Sequence, residues 1–183
     1  TDISEIKEAE RELRASERKF RELFQRMAQG VVYQEADGQI TAANPAAERI
    51  LGMSIDQMTG RTSMDPRWRA LDADGNELPG DRHASTIALR TGEPVPNFMM
   101  GVFNPAVEEY RWISVNAFPE FRHGDEKPYR VVSTFEDVTE LKRSQQKLSR
   151  ANRSLNAVYA AVRHVAGAET EQGLLDGVCR VLV

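Results

Sequence analysis

Residues 131–142 read VVSTFEDVTELK. Side chains alternate along an extended chain, which sets Val131, Ser133 and Phe135 on one face and Val132, Thr134 and Glu136 on the other. β-Branched and aromatic residues dominate, as a strand prefers. At Asp137 the pattern changes. Asp137 and Thr139 are both good helix N-cap types, and Glu140 adds negative charge to the first turn. Composition stays helical from there to about Val165, so a strand hands over to a long helix within two residues. The chain also opens on this phrase. Asp2, Ile3, Ser4, Glu5, Ile6 and Lys7 match Asp137, Val138, Thr139, Glu140, Leu141 and Lys142. Such a repeat points to one structural device used twice.

Both copies of the phrase are followed by apolar residues at seven-residue spacing: Ile6, Leu13, Phe20 and Met27, then Leu141, Leu148, Leu155 and Val162. Residues 4–28 hold no Gly or Pro and are rich in helix formers. A narrow stripe on such a helix fits packing against its own domain, or a short parallel two-stranded coiled coil. In the second case these residues are the seam of a homodimer, weakened by Ala9 and Ser16, or Glu10 and Glu17, at the intermediate positions.

Between the repeats, VVYQEADGQITAANPAA (31–47) holds two β-prone runs, Val31–Glu35 and Gln39–Ala43, around Asp37-Gly38, a hairpin signal. Asn44-Pro45 then caps and starts a helix that ends at Gly52, and a shorter one spans Ser54–Met58. Gly30 is the expected stop of the first long helix. Residues 61–97 are loop-rich with one helix, Arg82–Arg90. Strand-like runs follow at Asn97–Phe103, Glu109–Phe118 and Tyr129–Glu136. The order is strands, helices, strands. The fold class is therefore α+β: a five-stranded antiparallel sheet with helices on one face and long flanking helices. Gly167 is expected to break the last helix, with a new amphipathic helix beyond it.

Composition excludes several classes. The chain has 183 residues, 24 Lys and Arg, 28 Asp and Glu, and a net charge of −4. That balance gives no electrostatic reason to expect nucleic acid. No apolar run approaches the ~20 residues a membrane span needs. The single cysteine, Cys179, cannot form an internal disulfide, so a cytoplasmic setting is expected. The chain begins in mid-phrase and stops at CRVLV, so both ends are expected to continue. Gly-rich phosphate loops, nucleophile elbows and metal-site histidine spacing are missing, and the expectation is a non-catalytic module with no metal site. DADGNE (72–77) faintly echoes a calcium loop but lacks its remaining ligand spacing, so it reads as a polar turn. His164 lacks the neighbours of a phosphoacceptor motif.

In this order and spacing, SERKFRELFQRMAQGVVYQEADGQITAANPAAERILG, GRT, RWISVNAFP and VVSTFEDVTELK resemble a PAS domain, a small sensor module of signalling proteins. The resemblance covers roughly residues 17–140. It implies a helix over 1–28 that leaves a preceding module, a PAS domain at 29–137, and a signalling helix at 138–166. Residues 167–183 resemble the opening helix of a GAF-type domain, or are a linker helix. Effectors attached to such modules are diguanylate cyclases, phosphodiesterases or histidine kinases. The flavin subclass needs a core cysteine, and Cys179 lies outside the domain. The haem subclass uses a histidine near the position of His83, which stands at a polar helix start, so neither cofactor is expected.

What remains is a small-ligand pocket or a filled core. Its candidate residues are Val31 and Tyr33 on the first strand, Met100 and Val102, Ile113 and Val115, and Val131, Ser133 and Phe135. Trp112 falls on the opposite sheet face and needs cover from a helix, the exit segment or a second subunit. The resemblance implies a link between Arg111 and Asp137, which with Trp112, Val138 and Thr139 would pass a signal to the helix. The function expected is a sensory and regulatory module that relays a ligand or conformational signal to an effector outside this chain. The alternative is a ligand-free dimerisation spacer.

Overall fold

The computed structural model describes the backbone of residues 3–181 and the side chains of residues 6–160, so Asp2 and the side chain of Val162 lie outside the described residues. Helix α1 spans Ile3–Arg26 and leads into β1 (Gly30–Glu35) and β2 (Ile40–Ala43). The first long helix thus stops before Gly30, which instead begins a strand. Gly30 pairs with Phe135, and the Phe135 ring fills the space a Cβ at Gly30 would need. The glycine serves close packing rather than helix termination. The turn between β1 and β2 follows the sequence signal, with Gly38 at φ 81° and the Gln39 amide donating to Asp37 at 2.9 Å.

Helices α2 (Pro45–Leu51) and α3 (Ile55–Met58) come next. Gly52 closes α2 in the left-handed conformation. Ser54 and Gln57 form a reciprocal capping box on α3. A two-residue strand, β3 (Ala70–Leu71), precedes a 3₁₀ turn at Gly80–Arg82 and helix α4 (Ala84–Thr91). Strands β4 (Val95–Asn104), β5 (Glu109–Glu120) and β6 (Arg130–Asp137) complete the sheet, and α5 runs Thr139–Val181.

The sheet has six strands rather than five, all antiparallel, in the order β2-β1-β6-β5-β4-β3. The extra strand is β3 at the edge, pairing Ala70 with Val102 and Leu71 with Gly101. Two residues are too few for an alternation to show in sequence. Helix α5 also passes through Gly167 without a break. One helix-interior glycine costs only about 1 kcal/mol, which a long helix absorbs.

Contacts divide the chain into residues 1–139 and 140–183. In the first unit, α2, α3 and α4 cover one sheet face, and the core lies between. Met58 and Val131 are fully enclosed there, with Val32, Ile40, Leu51 and Phe135 around them. Burying a side chain of this kind stabilises by about 1.5–3 kcal/mol. Asn44 ties the end of α1 to β1 and α2 within this unit. Its Oδ1 accepts from the amides of Val31 and Ala47, both at 2.9 Å, and its Nδ2 donates to the carbonyls of Gln29 at 2.8 Å and Phe24 at 3.2 Å. The sequence showed its role as a helix cap and not the other bonds.

Candidate ligand cavity and exit joint

A cavity of about 90 Å³ lies between the inner sheet face and the helices. The alternation on the long strands delivers its wall. Met100 and Val102 on β4, Ile113 and Val115 on β5, and Ser133 and Phe135 on β6 all line it, as expected from sequence. Cross-strand pairs Met100–Ile113 and Val115–Phe135 keep them on one face. Val131 is on the same face, packed in the core and not on the cavity wall.

Val31 and Tyr33 are not part of the wall. The sequence VVYQ carries apolar residues on both faces, so its alternation does not choose between them. Pairing with β6 sets Val32 against Ser133 and Gln34 against Val131, and Val32 and Gln34 therefore face inward. A one-residue change of register exchanges the two faces. Tyr33 packs instead against Phe24 of α1, ring centroids 6.0 Å apart, with the Arg130 guanidinium 4.9 Å above it.

The helical side adds residues that sequence reasoning did not assign to a site: Ser63, Trp68, His83 and Ser85. Four polar side chains on the wall are bonded. Gln34 Nε2 donates to the Gly38 carbonyl at 3.0 Å and to Ser63 Oγ at 3.4 Å. The hydroxyls of Ser63 and Ser85 meet at 3.2 Å, and His83 Nε2 lies 3.3 Å from the Leu78 carbonyl. Burial pushes the His83 pKa below its ordinary value, and the Leu78 carbonyl and Asp81 oppose this only in part. His83 is then neutral near pH 7. Among the described residues no Asp, Glu, Lys or Arg lines the cavity. Among the described residues no group of three or more His, Cys, Asp or Glu is placed to hold a metal. In this conformation the space takes a molecule of a few atoms, and a porphyrin or flavin ring requires the helices to part.

At the end of β6 the chain is clamped to β5. The Val138 amide donates to the Trp112 carbonyl at 2.8 Å, and the Trp112 amide donates to Thr139 Oγ1 at 2.9 Å. Thr139 is 1% exposed. Its own amide donates to Asp137 Oδ1 at 2.9 Å, the cap expected from sequence, and Arg111 stands 3.7 Å from Asp137. The five candidate signal-transfer residues therefore form one contiguous joint. Trp112 is half-buried, with its indole against Gly101, where a Cβ would stand 3.5 Å away. A large ring beside a glycine is partly sheltered by the bare backbone opposite. Ile6, Leu13 and Phe20 on α1, Met27 just beyond its end, and Leu141, Leu148 and Leu155 on α5, are all exposed.

Residues 18–82 match a PAS domain family model. The PAS domain of an HTR-like protein from Haloarcula marismortui superposes with a TM-score of 0.54 at 16% identity, covering 72% of this chain and 98% of that one. A PAS domain from Colwellia psychrerythraea gives 0.51 at 15% identity, covering 67% and 97%. A sensory box histidine kinase/response regulator from Burkholderia thailandensis gives 0.51 at 17% identity, covering 75% and 98%. No curated protein matches the sequence. The sheet and its helices have the PAS fold. No described helix is long and apolar enough to cross a membrane.

Proposed function

We propose that this chain is a non-catalytic sensory module of a cytoplasmic signalling protein, which passes the state of its core to an effector domain through α5. The observation that carries this reading is the adjacency of cavity and joint. Ile113 lines the cavity and is bonded to the exit through its neighbour Trp112, while Phe135 lines it two residues before Asp137. A shift of β5 against β6 moves both partners of the Thr139 clamp. The likeness to a sensory box histidine kinase/response regulator agrees with such a role. The exposed apolar stripes on α1 and α5 favour a parallel homodimer, in which a change of helix geometry reaches the effector. No haem or flavin takes part, and the purified protein is expected to show no Soret band that depends on His83.

The test perturbs the cavity and reads the helix. Ser133→Met fills the cavity from β6. Hydrogen exchange of amides 143–147 in α5 is expected to change in this variant and to stay unchanged when Thr139→Val is added. A filled cavity that alters exchange in β5 and β6 while α5 stays the same, with the clamp intact, would refute the relay.

A further inference from the structure

Two polar atoms of the cavity wall stand apart from the rest. Trp68 Nε1–H and the Ser133 hydroxyl are buried and have no hydrogen-bond partner among the described residues. Ser133 is 6% exposed. All the other polar side chains on this wall are bonded to protein groups. Buried polar groups in folded proteins are nearly always satisfied, so two exceptions on residues that line one space call for an occupant. An indole N–H only donates, and its missing partner is therefore an acceptor; a serine hydroxyl donates and accepts. With no charged side chain on the wall among the described residues and His83 held neutral, an ionic occupant would be buried without compensation. Size narrows the choice further. A cavity of ~150 Å³ encloses benzene, and this one measures about 90 Å³. Trp68, Ser63 and Ala70 also line an outer cleft, so the indole stands between the cavity and the surface.

We infer that the cavity binds a small uncharged carbonyl compound of roughly four or five non-hydrogen atoms, whose oxygen accepts the hydrogen bond of Trp68 Nε1–H and which offers a polar atom to Ser133. This specifies the signal of the sensory reading above and rests on that reading only for its consequence, not for binding.

The test uses isosteric compounds on the isotope-labelled chain: 2-butanone and propanamide as neutral carbonyl compounds, propionate as the anion, and 2-methylbutane as the hydrocarbon. The protein has two tryptophans, so the Trp112 indole signal is an internal reference. The neutral carbonyl compounds are expected to shift the Trp68 indole N–H saturably, with Kd in the range of about 10 μM to 10 mM. Propionate and 2-methylbutane are expected to bind at least ~10-fold more weakly, about 1.4 kcal/mol. Trp68→Phe removes the donor and keeps an aromatic ring; followed at the methyl groups of Ile113 and Val115, it should weaken both carbonyl compounds about 10-fold. Ser133→Ala, which is expected to fold at least as well as the parent, should weaken propanamide by a smaller factor. The inference is overturned if propionate or the hydrocarbon binds as well as the amide, if Trp68→Phe changes nothing, or if no compound binds and only ordered water fills the space. The exchange experiment on α5 needs none of these compounds. Failure of binding with the relay intact therefore removes the ligand class and leaves the sensory reading.

Discussion

Asp137→Ala is expected to loosen the joint without unfolding the domain, and the magnitudes are separable. Asp137 Oδ1 accepts from the Thr139 amide at 2.9 Å, a cap of the kind that contributes about 1 kcal/mol. Its contact with Arg111 is 3.7 Å long, between side chains 27% and 30% exposed. A partly solvated pair at that distance contributes about 0–1 kcal/mol. The total loss is about 1–2 kcal/mol, against a domain stability of about 5–15 kcal/mol. Even at the lower bound, about 3 kcal/mol remains and about 99% of molecules stay folded. The melting midpoint should fall by roughly 3–10 °C. The damage should concentrate at the start of α5. Exchange of amides 143–147, whose acceptors begin at Thr139, should quicken about 5- to 30-fold. Thr139→Ser keeps the hydroxyl that Trp112 donates to and should behave close to the parent. Loss of the sheet's native circular dichroism in Asp137→Ala would make the residue a determinant of folding. Unchanged exchange in α5 would show that the cap holds nothing, and either result refutes the argument.

Asn44→Ala removes an enclosed side chain with two bonds accepted and two donated, and should lower unfolding free energy by about 2–4 kcal/mol at unchanged denaturant slope, as measured in urea. Asn44→Asp keeps the accepted bonds, turns a carboxylate toward two carbonyls, and should still destabilise. His83 has a folded pKa below its ordinary 6.5, so the unfolded chain binds more protons than the folded one as pH drops. Its contribution is full above pH 6.5 and is lost as pH falls from there through the folded value; thermal melts from pH 7.5 to 5 should show the decline, and His83→Gln should flatten it. Leu148→Lys with Leu155→Lys places charge on the exposed stripe of α5, where Leu148 is 71% exposed. Sedimentation should show a shift toward monomer with the sheet intact, and an unchanged oligomer would count against the seam.

The sequence is most legible where local chemistry has one solution. Asn44-Pro45 and Gly52 delimit α2, Asp37-Gly38 makes the first turn, and the alternation in Ile113, Val115 and Ala117 selects the buried face of β5. Each is decided by residues within one element. The Asp137 cap was legible for the same reason, since the helix it caps starts two residues away, whereas the link to Arg111 was implied by the family resemblance and the Trp112–Thr139 bond was not foreseen. Position 30 was misread because glycine has two uses, helix termination and close approach, and only the distant Phe135 ring decides between them.

The helical wall of the cavity was illegible for a deeper reason. Ser63, Trp68, His83 and Ser85 come from a loop-rich stretch and the first turn of α4, where side-chain direction follows no period. His83 reads as a polar helix start because Asp81 and Arg82 precede it; yet it is buried, while Asp81 and Arg82 are exposed. Gln34 is a polar residue that the strand pattern does not mark for the interior, and only its bonds to Gly38 and Ser63 make its burial tolerable. Polar groups of this kind are placed by their partners, and those partners lie on other elements. The strands therefore specify the apolar half of the site in advance of the fold, while the half that distinguishes one occupant from another, the Trp68 indole above all, is assembled only when the 63–85 segment closes over the sheet. A change confined to that segment can alter what is bound while leaving β5, β6 and the clamp on Thr139 as they are.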